Sequence, residues 1–426
     1  MFRFLCRTTG KLIADRDLAL NLTTTQLGFS QNRTRSLSST KLSNSKTVRF
    51  LSSSSHVEKR SLKTKQSEHE ESLTVSYLVN SCGLSLKSAL SSSKLIQLKN
   101  TERADSVLRF FSDHGFTETQ ISKVVRSHPR VISSDPEMTL SPKIEFFRSI
   151  GVSSSELAKI IANSPAFLSM SLKNRLIPNY SFLRSVVIHD EKIVRVLKRM
   201  GQGFLQDLRS KNFGQNIALL KVIGVPQSRI SFFVTSKPNV ACSKHSKFCK
   251  VVNKVEEMGF NPTRTVFVLA VGTIAQLKES VWESKFEVYK RWGWSEDETL
   301  AAFRRHPYCM QLSEEKITRT MDFLVNKMGY LSQNISKWPT VLFFSLEKRI
   351  APRCFIIQVL LSKGLIKENI CPVSFLLHGQ SKFIKKYVTK FQEEVPELLD
   401  VYQGKINLPD ASPGFQRHVN ETGLTL

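Results

Sequence analysis

The sequence holds no Cys-x-x-Cys pair. Its seven cysteines, Cys6, Cys82, Cys242, Cys249, Cys309, Cys354 and Cys371, are scattered without pairing spacing. This excludes a small secreted disulfide scaffold and fits a reducing compartment. No GxxxxGK[ST] or GxGxxG loop is present to cradle phosphates. HExxH, GxSxG and the zinc-deaminase pattern H-x-E…PCxxC are missing too, so the expectation is a protein that is not an enzyme and needs no cofactor or metal. Cys242, His245 and Cys249 would share one helix face, but they lack a nearby fourth ligand and the usual zinc spacing, and they read as buried thiols beside a polar histidine. Long apolar runs are also lacking. The two longest, "TVFVLAVGTIAQL" (265–277) and "RCFIIQVLLSKGLI" (353–366), are too short or too interrupted to span a bilayer.

Acidic residues are scarce. Against 62 Lys+Arg there are 36 Asp+Glu, a formal net charge of +26. Residues 1–60 contribute 11 basic and 3 acidic side chains, which leaves 51 against 33 in the remainder. The body of the chain is therefore basic in its own right, which points to a polyanionic partner. Residues 1–55 are rich in Ser, Thr and Arg, with only Asp15 and Asp17 as acids. That is the composition of an organellar transit peptide, and without an apolar h-region secretion is not expected. The early arginines favour the mitochondrion, with the chloroplast as the alternative. Residues 56–71 read as a charged linker.

What is present is a repeat. Short segments ending in glycine recur at Gly83, Gly115, Gly151, Gly224, Gly259, Gly293, Gly329 and Gly364. Successive gaps are 32, 36, 73, 35, 34, 36 and 35 residues; the 73 spans two periods, with Ile188 in the missing slot. About nine units of ~35 residues result, the length of a helix-pair repeat. Each reads as a helix stopped by Gly, then a second helix. Thr117/Gln120, Ser153/Glu156 and Ser295/Glu298 have capping-box spacing. The second helix ends at a proline (Pro129, Pro165, Pro238, Pro307), followed by an apolar pair such as Val131-Ile132 or Phe167-Leu168. Proline excludes regular helix before it, which predicts a tight turn or 3-10 segment pinned into the core. A second proline (Pro142, Pro178, Pro352) is expected to open the next helix. "LKNRLIP" (172–178) and "LEKRIAP" (346–352) are then one joint written twice.

These units, the Pro-plus-apolar-pair stop and the L-x-x-R-[LI]-x-P joint resemble the mitochondrial transcription termination factor (mTERF) family, in the style of its plant organellar branch. The resemblance covers 72–392, leaving 393–426 as a C-terminal cap and tail. It implies an all-α superhelical α-solenoid of about nine helix-pair repeats with proline/3-10 turns. It further implies a monomeric organellar protein that binds double-stranded DNA and/or RNA and acts in transcription termination, transcription regulation or intron splicing. Its partners would be organellar nucleic acid and the transcription, splicing or ribosome machinery. Three positions depart from the pattern: Ile188 for Gly, Val271-Gly272-Thr273 for the proline stop, and the early Pro339.

Basic residues gather near the ends of second helices and in the proline turns. The candidates for nucleic-acid contact are Lys123, Arg126, Arg130, Lys198, Arg199, Arg209, Lys211, Lys244, Lys247, Arg304 and Arg305. Equivalent places in successive units would make a positive stripe suited to a phosphate backbone. Arg175 and Arg349, inside the repeated joint, fit either a phosphate contact or a lock on backbone carbonyls. Trp292 and Trp294 read as packing residues. A protein-scaffolding solenoid in organellar ribosome or polymerase assembly, with a merely solvated basic face, is the alternative function.

Overall fold

The structure is a computed structural model that describes residues 73–404 apart from 368, 369 and 371. The expected presequence (1–55), the linker (56–71) and the end of the tail (405–426) lie outside the described residues. The described residues form an all-α array of helix pairs stacked on their neighbours into a superhelix. The pairs are 73–80 with Leu86–Ser93, Glu102–Asp113 with Glu118–Ser127, and Ser141–Ser149 with Ser154–Asn163. Next come Ile177–Val186 with Asp190–Met200, Asn212–Val222 with Gln227–Ser236, and His245–Glu257 with Thr265–Gln276. Glu279–Arg291 with Glu296–Arg305, Glu314–Met321 with Ser332–Ser336, and Ala351–Ser362 with Pro372–Leu376 complete the nine. A helical cap follows, from Gln380 through Phe391 and then Leu398–Tyr402, with Phe383, Leu398 and Val401 buried.

The turn within a pair is a Schellman stop. Gly151 has φ 85°, a conformation that costs a residue with a Cβ roughly 1–2 kcal/mol. It lets the next amide, of Val152, reach back to the Phe147 carbonyl at 3.1 Å, while Val152 itself is buried. The other seven glycines of the repeat share that left-handed geometry. The fourth unit has no such glycine, and side chains of the fifth replace it. The Ile188 amide donates to Ser231 Oγ at 3.0 Å, and Gln227 Nε2 donates to the Val186 carbonyl at 2.7 Å. The helix end is satisfied from outside instead of by its own turn. All three expected capping boxes form.

The residue before each stop proline adopts one shared conformation. His128, Ser164, Lys237, His306 and Trp338 all have φ between −133° and −147° and ψ between 51° and 86°. Proline forbids α-geometry at that residue, so the chain bends there. It re-enters as a 3-10 turn at Pro129–Ser133, Pro165–Ser169, Pro307–Gln311 and Pro339–Phe343, and as one α-turn at Pro238–Ala241. The apolar pair that follows is the plug. Val131, Ile132, Phe167, Leu342, Cys309 and Met310 are all at most 2% exposed. Plug rings carry packing from unit to unit: Phe167 meets Phe147 of its own unit at 5.7 Å and Phe204 of the next plug at 5.6 Å.

The second prolines stand at the second residue of their α-helices, as expected, but a π turn runs ahead of each. Ser171 and Ser345 cap the helix seven residues before Pro178 and Pro352, each accepting a backbone N–H. Between cap and proline runs one π turn, Leu172–Leu176 or Leu346–Ile350, and Pro136–Leu140 does the same ahead of Pro142. A proline inside a helix lacks its N–H and clashes with the carbonyl four residues back; the wider π turn makes room for it. The other departures also resolve. Thr265–Gln276 continues as helix through Gly272, without a plug, and a Cβ on Gly272 would meet Lys237 Cγ at 3.1 Å. The early Pro339 cuts the eighth unit's second helix to Ser332–Ser336.

Candidate nucleic-acid interface

From the first unit to the eighth, each second helix packs against the next, making one continuous layer. The layer's register explains the fate of its cations. Counted back from the stop proline, the second position is Ser127, Asn163, Ser236 and Arg305, and Arg199 takes that slot in the fourth unit. Side chains here, next to here and one turn earlier reach sideways along the layer. Lys123 Nζ donates to Asn163 Oδ1 at 2.6 Å, Arg199 Nη1 to the Ser236 carbonyl at 3.2 Å, and Lys237 Nζ to Gln276 Oε1 at 2.7 Å.

One position earlier, side chains reach back to the preceding unit's turn. Lys198 pairs with Glu156, and Arg304 Nε donates to the Met258 carbonyl at 2.7 Å beside Gly259. Arg304 therefore fastens two units together, and Arg305 beside it is exposed. Among the described residues, no side-chain hydrogen bond or ion pair holds Arg126, Arg130, Arg209, Lys211, Lys244, Lys247 or Arg305, all of them exposed.

At the layer's centre a groove of about 360 Å³ crosses three units, with Asn163, Ser164, Lys198, Arg199 and Asn239 around a floor that includes Phe167. Its charged lining, Lys198 and Arg199, is entirely cationic. Burial, and then the neighbouring Arg199 charge, lower the Lys237 ammonium from its ordinary value. Like charges repel, and an anion arriving beside Arg199 and Lys237 would relieve that repulsion.

The repeated joint divides its two arginines. Arg349 donates from Nε and Nη2 to the Leu376 carbonyl at 3.1 and 2.9 Å, and from Nη2 to the His378 carbonyl at 3.0 Å. Its guanidinium lies 3.6 Å from the Phe344 ring centre. Burial, then the Arg353 charge, pull its pKa down to about 10. Arg349 is the carbonyl lock. Arg175 makes none of these bonds, because Asn179 does that work alone: its Nδ2 donates to the Phe204 and Gln206 carbonyls and its Oδ1 accepts the Leu208 amide. Arg175 stays half-exposed near Asp207. The Asp207 carboxyl is lowered first by the Ser210 hydroxyl, then by the backbone amides of Arg209 and Ser210 and by the Arg175 charge.

The family model described as mTERF matches residues 108–272 and 269–384. The chain belongs to the mTERF family. A comparison with curated proteins returns no match. The mTERF fold is consistent with a nucleic-acid-binding role, and its members are typically non-catalytic. Among the described residues of this mTERF protein, no group of three or more His, Cys, Asp or Glu is placed to hold a metal, and no helix is long and apolar enough to cross a membrane. In the Cys242/His245/Cys249 cluster, His245 Nδ1 bonds Asn216 Oδ1 at 2.8 Å and Nε2 lies 3.5 Å from Cys249 Sγ. Trp294 is buried and stacks on Tyr289 at 4.5 Å, with its indole N–H bonded to Ser332, so it is a packing residue.

Two features escaped the sequence reading. Lys237 sits in the pre-proline slot also held by His128, Ser164 and His306, a slot whose occupants share geometry and not chemistry. The second is a clamp from first helix to the plug carbonyls of Leu168 and Phe204 by Lys143 and Asn179, and to the second-helix carbonyl of Leu376 by Arg353. Each directly follows a second proline, which was the available signal.

Proposed function

We propose that this mTERF protein binds organellar nucleic acid along the layer of second helices and regulates organelle gene expression, by transcription termination or regulation or by intron splicing. It acts as a monomer of the plant organellar branch, imported into the mitochondrion by its N-terminal segment. The observation that carries this reading is the polar groove beside Arg199 and Lys237, flanked on the same layer by exposed Arg126 and Arg305 and on a proline turn by Arg130. Such an array suits a polyphosphate backbone, and its regular spacing gives register before any base is read. Catalysis plays no part: the bound superhelix would block a polymerase or hold an RNA in a reactive fold.

Photo-crosslinking of the full chain to duplex DNA and to single-stranded RNA tests this. Crosslinks are expected around 126–130, 199, 237–241 and 305. Crosslinks confined to the opposite helices, or none with either nucleic acid, overturn the proposal and favour the scaffolding alternative.

A further inference from the structure

The second-helix layer leaves the Cys242/His245/Cys249 motif unused. His245 and Cys249 stand one turn apart at the start of the sixth unit's first helix, His245–Glu257. Their geometry is set by Asn216, fully buried on the fifth unit's first helix. Asn216 Nδ2 donates to the Ala241 and Ser243 carbonyls at 2.9 and 2.8 Å. That fixes which way the amide faces, so Oδ1 is the atom 2.8 Å from His245 Nδ1. Nδ1 must then carry the proton and Nε2 the lone pair. Cys249 Sγ lies 3.5 Å from Nε2 and 3.8 Å from Nδ1. With the Nδ1 proton committed to Asn216, the acceptor left for the thiol proton is Nε2.

The neighbouring unit shows that the clamp itself does not need an imidazole. Asn179 holds the Phe204 and Gln206 carbonyls in the same way, but its Oδ1 accepts the backbone amide of Leu208 at 3.1 Å. His245 takes the place of Leu208, two residues beyond the second carbonyl. Its own amide donates instead to Asn212 Oδ1 at 3.0 Å. A second asparagine thus frees Oδ1 of Asn216 to orient the ring.

A base in reach, partial exposure and positive surroundings mark a reactive cysteine. Cys249 is only partly buried. By contrast, burial pushes the thiols of Cys82, Cys242 and Cys309 up to about 12. From Leu208 to Val255 the chain has nine Lys and Arg and no Asp or Glu, and Lys247 and Lys250 on either side of Cys249 are exposed. That charge favours a reagent carrying carboxylates.

We propose that Cys249 is a thiol–disulfide exchange site for an anionic low-molecular-weight disulfide, with His245 as its base. The thiol proton passes to His245 Nε2 while the sulfur attacks one sulfur of the disulfide. A new S–S bond forms as the old one breaks, and the departing thiolate takes the proton back from the imidazolium. The products are a mixed disulfide on Cys249 and one small thiol, and excess thiol reverses the step. The site stands on first helices, so it can fail without the nucleic-acid reading failing.

The test treats the reduced full-length chain with glutathione disulfide and follows the mixed disulfide at each cysteine by mass spectrometry. Cys249 should react before Cys82, Cys242 and Cys309, and about tenfold faster in the folded chain than in the same chain in urea. His245→Gln should slow Cys249 about tenfold and leave Cys242 unchanged. Cys242 lies between the two clamped carbonyls, so a faster Cys242 in that variant means that the clamp has opened, and the urea comparison on the wild-type chain then decides alone. Uncharged hydroxyethyl disulfide should give a smaller ratio of folded to urea rates. Four outcomes overturn the proposal: first reaction at one of those three buried cysteines, an unslowed Cys249 in His245→Gln, no advantage of the folded chain over urea, or an equal ratio with the uncharged disulfide.

Discussion

Replacing Arg349 and Arg175 separately by Ala should give opposite phenotypes from the same motif position. Arg349→Ala removes three hydrogen bonds of 2.9 to 3.1 Å and the stack on Phe344. Bonds to a charged donor are worth about 1.5–3 kcal/mol each when the acceptor is left bare. Three features reduce that sum. Arg349 is only half-buried; Arg353 still donates to the Leu376 and His378 carbonyls; and the like-charge repulsion between the two arginines disappears. A net loss of about 2 kcal/mol follows. In a repeat array such a loss stays near its own interface. Native-state hydrogen exchange should therefore show faster exchange in the ninth unit and cap, with the second to fifth units unchanged and nucleic-acid affinity nearly unaltered. Arg175→Ala should leave exchange within about 0.5 kcal/mol of wild type throughout. Equal destabilisation by both substitutions, or none by Arg349→Ala, refutes the division of roles.

Other consequences follow from the same contacts. Glu156→Gln should tighten nucleic-acid binding in a titration, because Lys198 loses its carboxylate partner; weaker binding would place Lys198 outside the interface. Phe167→Ala should cost about 3–5 kcal/mol in denaturant unfolding, since its fully buried ring joins two plugs. Buried His306, tilted against the Phe343 ring at 4.2 Å, has its pKa lowered by desolvation to about 4. Its folded pKa lies below the unfolded value, so its stabilising contribution is whole above about pH 6.5 and is lost as pH falls toward 4. Thermal melts across that window should lose part of their slope in His306→Phe; an unchanged slope would assign the acid sensitivity elsewhere.

The period, the glycine stops, the capping boxes and the buried plugs were legible because each is a local rule: left-handed backbone needs Gly, and proline forbids helix before it. The same rules put Pro178 and Pro352 in the first turn of α-helices, but missed what lies ahead of them. Nothing local reveals that a π turn precedes them, because the helix start is set by Ser171 and Ser345 seven residues earlier. The candidate site was legible as charge and not as geometry. Arg304 and Arg305 are adjacent and chemically identical, yet one fastens the Gly259 turn while the other faces solvent. Only the stacking of neighbouring units separates them, as it does Arg175 from Arg349, where an Asn in place of an Arg one turn later decides which side chain is left over.

The salt dependence of nucleic-acid affinity tests the central claim most directly. With duplex DNA or RNA, log K against log salt should fall with a slope reporting several displaced counterions, and Arg126→Ala, Arg130→Ala and Arg305→Ala should each reduce that slope by about 1. No binding at low salt, or a slope indifferent to all three substitutions, would contradict the account.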